Sequence, residues 1–209
     1  MPEVQHEGET YRYRPLCAED QAFALDVIRP VISELKDRRG DTPETKTARY
    51  IETAVMHAHD LSEGEVARIL RVALDGAEWL RFDEPQEWVR VWDGATGDAI
   101  GGHLDGVLAL SLALAVAKDS LARYLAYEPI EFETARRAPL GYSPVVVPGN
   151  LLWLHTPVLR GLVHFESLRN GTVDLADIAL LNDLLAVEAE NASRANKAAE
   201  EEATSRRGG

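Results

Sequence analysis

An apolar run of eleven residues near the middle of the chain, VLALSLALAVA from Val107 to Ala117, restricts the possible folds most. His103 and Asp105 precede the run, and Lys118 and Asp119 follow it. A helix that crosses a membrane needs about twenty apolar residues, so this run is too short to span one. A helix that is apolar on all sides is typical of a protein interior. The run therefore predicts a buried central helix and no membrane partner.

The chain has 209 residues and a formal net charge of −13, with 45% hydrophobic residues. A folded protein of this size buries about 70% of its surface, which is enough for one domain or two small ones. The hydrophobic fraction is typical of globular proteins and excludes a disordered chain. An excess of carboxylates repels phosphate, and we therefore expect no nucleic-acid partner.

The single cysteine, Cys17, excludes an internal disulfide and a zinc site built from cysteines. A reducing compartment is the simpler expectation. The first nine residues, MPEVQHEGE, lack the basic and apolar regions of a secretory signal peptide. The sequence therefore predicts an intracellular protein.

Helical periodicity dominates the rest of the chain, and we predict an all-α, mostly helical fold. A short extended segment is expected at Thr10–Arg14, where side chains alternate with period two, and Pro30 is expected to kink or divide the first helix. Ser62 and Glu65 have the spacing of a helix capping box. The predicted organisation is an N-terminal extended segment (1–17), a helical body (18–130), a proline-containing connection (131–150), a C-terminal helical hairpin (151–190) and a disordered or fraying tail (191–209).

The four tryptophans are candidate partner-binding residues: Trp79, Trp88, Trp92 and Trp153. The first three alternate with arginines, a pattern that also occurs on surfaces where nucleic-acid bases stack. Acidic residues are mixed through the same stretch, so packing against the helical body is the favoured interpretation. The sequence leaves open whether this stretch is core or interface.

His59 and Asp60, at the end of the second predicted helix, are weak candidates for a metal site. The pair is similar to the metal-binding pair of HD-type phosphohydrolases. His57 cannot easily join it, because residues i and i+2 of a helix point about 200° apart. Such a site needs further ligands, and His103, Asp105, His155 and His164 show no recognisable spacing. We therefore predict no catalytic residue, no metal and no cofactor.

A sequence pattern covers Pro157 to Ala195, and its elements run from an Arg-Gly pair to a final Glu-Asn with an arginine. Its principal residues are Arg160, Gly161, Glu166, Ser167, Gly171, Asp177, Asn182 and Asn191. The pattern resembles a segment of tailed-bacteriophage proteins from the structural module. The opening YRYRPL, followed by an acidic helix start, is similar to the beginnings of phage tail assembly chaperones.

The same pattern also predicts a helical hairpin. Gly171 and Thr172 supply a turn, and Thr172 or Asp174 caps the second helix. Glu166 and Asn182 are expected to form hydrogen bonds across the hairpin. Every feature of the pattern is thus explicable as fold, and any function would lie in surfaces.

The resemblance implies a non-enzymatic morphogenesis protein in the cytoplasm of the infected bacterial host. Its partner would be the tape-measure or tail-tube protein, held soluble in apolar helix grooves until assembly. Self-association is a further expectation. One alternative is a head-tail connector or another virion structural protein. The other is an HD-like metal-dependent phosphohydrolase that uses His59 and Asp60.

Overall fold

The computed structural model of the chain describes residues 1–36, 39–81, 87–93, 95–100, 104–130 and 151–207. The described part contains α-helices and antiparallel strands, so the fold is mixed. The strands are β1 (Glu3–His6), β2 (Glu9–Arg12), β3 (Glu78–Arg81), β4 (Glu87–Arg90), β5 (Trp92–Asp93) and β6 (Asp98–Ala99). The helices are α1 (Ala18–Ile28), α2 (Pro43–Ala58), α3 (Glu63–Leu74), α4 (Gly106–Ser120), α5 (Ala122–Leu125), α6 (Leu152–Leu159) and α7 (Leu175–Arg207).

The apolar run forms α4, and the prediction of a buried central helix is confirmed. Asp105 caps its start, where the Leu108 amide donates to the Asp105 carboxylate over 2.8 Å. Every residue from Ala109 to Ala117 is buried, because α1, α2 and α3 all pack against this helix. None of the helices in the described ranges has the length and apolar character that a membrane span requires.

The prediction of an all-α fold is wrong where the chain forms β3, β4, β5 and β6. β1, β2, β3 and β4 form one antiparallel sheet in that order, and β5 pairs with β6. β3 reads EWLR and β4 reads EWVR, so antiparallel pairing places Glu78 opposite Arg90 and Arg81 opposite Glu87. Opposite charges across a strand pair stabilise it, and tryptophan and branched residues favour strands. The predicted N-terminal extended segment is confirmed as β1 and β2.

The tail predicted to be disordered or fraying is helical. α7 continues through residues 191–207 as part of a single helix of 33 residues. Its last half is rich in alanine and glutamate, which are strong helix formers, and ion pairs four residues apart support it. The predicted connection at 131–150 lies outside the described residues.

Two local signals of the sequence are confirmed. Ser62 and Glu65 form a reciprocal capping box at the start of α3. α1 ends at Ile28, and a single 3₁₀ turn at Arg29–Val31 follows it because Pro30 cannot continue an α-helix.

Candidate functional site

An apolar groove lies between α5 and the first turns of α7, with Trp153 of α6 among its lining residues. Its volume is about 420 Å³. The ring of Tyr124 stacks on that of Trp153, with 6.3 Å between centroids and 28° between planes. The groove is lined by Tyr124, Leu125, Tyr127, Pro129, Trp153, Ala179, Asn182 and Asp183.

Asn182 fixes Trp153 against α7. Its side-chain amide donates to the backbone carbonyl of Trp153 over 2.9 Å and to that of Ile178 over 2.9 Å. The first bond joins two helices, and the second holds the amide in place along its own helix. The prediction that Asn182 forms a hydrogen bond across the hairpin is therefore confirmed.

Asp183 holds the opposite wall of the groove. Its carboxylate accepts from the hydroxyl of Tyr127 over 2.6 Å and from the amide of Ile130 over 2.8 Å. The hydrogen bond to the Asp183 carboxylate raises the pKa of Tyr127, because the bond favours the protonated phenol. The chain from Tyr127 to Ile130 is thus tied to α7 at both ends.

Large apolar side chains are also exposed on the helices that form this groove and on the segments beside them. Leu159 is 74% exposed and Leu184 is 51% exposed. Contiguous exposed apolar surface in a folded protein commonly marks a site of interaction. In α5, α6, α7 and the segments beside them, the exposed large apolar residues are Leu125, Ile130, Leu152, Leu159, Leu162, Phe165, Leu180 and Leu184.

Three other residues of the sequence pattern, Gly161, Gly171 and Asp177, shape the backbone before α7 and at its start. Gly161 and Gly171 adopt φ values of 72° and 78°, which side chains rarely tolerate. Of the two predicted caps, Asp174 is the one used: its carboxylate accepts from the Asp177 amide over 3.0 Å, and that of Asp177 accepts from the Asp174 amide over 3.1 Å. Arg123 of α5 contacts both carboxylates.

The remaining pattern residues lie at or near the surface. Arg160 ends α6 and is exposed, and Ser167 lies half-buried in a 3₁₀ turn. Glu166 and Asn191 are exposed. The prediction that Glu166 bonds across the hairpin is wrong within the described part of the chain, where its backbone carbonyl instead accepts from the amides of Arg169 and Asn170.

The structure separates the tryptophans. Trp153 lines the groove, whereas Trp79 and Trp88 lie on β3 and β4 of the sheet. The Trp79 indole donates to the Glu9 carboxylate over 2.9 Å, and the guanidinium of Arg12 lies 4.3 Å from the centre of the Trp88 ring. Trp92 is buried in the core.

His59 and Asp60 are exposed beyond the end of α2. The neighbouring His57 is buried, with its Nε2 atom 2.9 Å from the backbone carbonyl of Val27. Among the residues that the structure describes, no group of three or more His, Cys, Asp or Glu side chains is arranged to hold a metal ion. In that part of the chain, the pair thus has no further ligands.

Residues 163–202 match a family of unknown function (DUF6889). The match begins before the turn that precedes α7 and includes most of that helix, so three lining residues of the groove lie within it: Ala179, Asn182 and Asp183. No curated protein and no solved structure matches the chain.

Proposed function

We propose that this protein is a non-enzymatic phage morphogenesis protein, a tail assembly chaperone that binds an apolar segment of the tape-measure or tail-tube protein. The observation that carries the proposal is the groove of stacked Tyr124 and Trp153, open to solvent and lined mainly by apolar side chains. The resemblance of the pattern around α7 to phage structural-module proteins supplies the class of client.

The groove suits an aliphatic or aromatic side chain of a client helix. Burying one such side chain contributes about 1.5–3 kcal/mol. Asn182 and Asp183 hold Trp153 and Tyr127 in place before binding. Less side-chain freedom is then lost when the client docks.

The charge of the chain favours a client segment with basic residues beside its apolar ones. The net charge is −13, and the Asp183 carboxylate lies at the groove. Opposite charges speed association, and the like charge of the complexes keeps them apart in solution. Both effects suit a protein that keeps an aggregation-prone client soluble in the cytoplasm of the infected host.

The test is co-expression with the tape-measure and tail-tube proteins encoded beside this chain. We expect the wild-type protein to keep one of them soluble and to co-purify with it. Leu125→Glu places a carboxylate in the groove and should abolish both effects. Val55→Glu is the matched control, because Val55 is 46% exposed on α2 and Leu125 is 40% exposed on α5.

Two results would contradict the proposal. One is equal recovery of client with Leu125→Glu and the wild-type protein. The other is a stoichiometric amount of this protein in the mature particle, which would favour the head-tail connector instead.

A further inference from the structure

A second cavity, of about 250 Å³, lies where the start of α1, the end of α3 and the turn before α7 meet. It shares no lining residue with the apolar groove. Three arginines line it, and they come from three separate parts of the chain. Arg14 precedes α1, Arg71 lies in the last turn of α3, and Arg169 lies in the turn before α7.

Two of these arginines have no partner within the described ranges. The side chains of Arg14 and Arg71 are exposed and form no ion pair or hydrogen bond there. Asp75 lies just past the end of α3 with an extended backbone, and it forms no ion pair with Arg71 within the described ranges. Arg169 contacts Glu19 over 3.2 Å and remains 66% exposed.

Acidic residues offset part of the positive charge of the cavity. Asp20 and Asp75 line it beside the three arginines. The Asp20 carboxylate already accepts a hydrogen bond from the thiol of Cys17 over 3.1 Å. The lining thus has three arginines against two aspartates, and the charge of Arg169 is also paired with Glu19, so Arg14 and Arg71 are the guanidiniums at the cavity that an anion could engage without breaking an ion pair of the described ranges.

We infer that this cavity binds a phosphate group, either as inorganic phosphate or as a small phosphomonoester. Guanidinium groups form paired, charge-assisted hydrogen bonds to phosphate oxygens. Guanidiniums from three separate segments of the chain supply enough donors for the several oxygens of a phosphate. The cavity, of about 250 Å³, is smaller than the roughly 300–1,000 Å³ of common ligand sites, which favours a small anion over a nucleotide.

Binding joins the helical body to α7. Arg14 lies just before α1 and Arg71 lies on α3, whereas Arg169 and Gly171 belong to the turn that leads into α7. A phosphate held by both sides stabilises the folded state, and this stabilisation grows with the logarithm of the phosphate concentration once the site is filled. Because the site is separate from the groove, it stands or falls independently of the proposed client.

The test measures thermal unfolding and binding heat during titration with inorganic phosphate or phenyl phosphate, at constant ionic strength set by chloride. With at least one probe we expect a saturable binding heat and a Tm that rises with the logarithm of the probe concentration. Arg71→Gln and Arg14→Gln should each weaken the apparent affinity about tenfold, because each removes charge-assisted hydrogen bonds. Arg90→Gln, at an exposed position on β4, is the control and should leave the affinity unchanged.

The two probes identify the ligand. Tighter binding of inorganic phosphate assigns the cavity to the free anion, and tighter binding of phenyl phosphate assigns it to a phosphomonoester. The inference is overturned if neither probe gives a saturable response. It is also overturned if Arg71→Gln, Arg14→Gln and Arg90→Gln all respond as the wild-type protein does, since the effect is then one of ionic strength.

Discussion

The helices α4 and α7 are stabilised in opposite ways. α4 has 15 residues, and nine consecutive ones are buried against other helices. α7 has 33 residues, but its buried positions, Leu175, Ala176 and Ile178, all lie in the first turns. From Glu188 onward nearly every described side chain is exposed. Tertiary packing thus stabilises α4, whereas the second half of α7 is stabilised by its own helix-forming sequence.

Local ion pairs support the second half of α7, from Glu188 onward. Glu190 pairs with Arg194 over 2.7 Å, and Glu202 pairs with Arg206 over 2.5 Å. Each such pair contributes only about 0.3–0.5 kcal/mol to a helix. Helicity and burial are therefore separate properties in this molecule, and substitutions in the two helices should differ in cost.

The largest effect is expected from Leu112→Ala in α4. Leu112 is 0% exposed, so the change leaves a cavity in the core and should lower the free energy of unfolding by about 3 kcal/mol. Leu184→Ala in α7, at a residue 51% exposed, should lower it by less than about 0.5 kcal/mol. Urea unfolding measures both. Equal losses of unfolding free energy would mean that Leu184 of α7 is packed against another surface in solution.

A second effect involves His6, which packs on α4 and is 1% exposed. Ser111 donates to the Leu108 carbonyl, so its hydroxyl accepts from Nε2 of His6 over 2.8 Å. Protonation would then place a charge on Nδ1, which has no partner in the described part of the chain. Burial accordingly lowers the pKa of His6 from 6.5 to about 4.

Because the unfolded chain binds this proton more readily, the free energy of unfolding should decrease as the pH is lowered. The contribution of His6 is fully present above pH 6.5 and is lost as the pH falls, by about 3 kcal/mol at pH 4. Urea unfolding at pH 7 and pH 4 checks it. His6→Gln removes the titrating group, so its stability should change less over this range. The same loss in both proteins would assign the effect to other groups.

Gln21 tests the link between the two helices. Its side chain donates to the Ser120 carbonyl of α4 over 3.0 Å and accepts from the Leu175 amide of α7 over 2.7 Å. Gln21→Leu leaves both backbone groups without this partner and should cost about 2 kcal/mol. Hydrogen exchange should also become faster at Leu175.

Gln5→Leu is the matched control for Gln21→Leu. Gln5 is exposed on β1 and bonds only to a neighbouring strand, so its loss should change stability little. If Gln21→Leu is as stable as Gln5→Leu, then α7 docks without this link.

The features that sequence could predict are those determined by composition or by short spacings. The apolar run predicts α4, and the Ser62 and Glu65 spacing predicts the start of α3. The structure places Trp153, a partner-binding candidate, in the groove, and its role in binding a partner stays a prediction. Tyr124 and Asp183 were not, because they meet Trp153 only through the packing of α5 and α7.

The strands β3 and β4 were missed because a strand of four residues depends on its partners for stability. The repeat of EWLR in EWVR was an available signal, since antiparallel pairing of these segments matches each glutamate with an arginine. The helical tail was missed for the opposite reason. Its lack of an apolar face predicts disorder or fraying, although alanine and paired charges favour a helix without burial.

The smallest effect on stability is expected from removing the second half of α7, by ending the chain at Val187. Its side chains are almost all exposed, so the free energy of unfolding should change by less than about 0.5 kcal/mol. Circular dichroism should nevertheless show a loss of helix, and urea unfolding at two protein concentrations measures the stability. The control is Ala192→Gly in the full chain, which weakens this part of the helix without shortening it. A loss of unfolding free energy above about 1 kcal/mol that grows with protein concentration would contradict the comparison. The second half of α7 would then pack against a second copy of the chain.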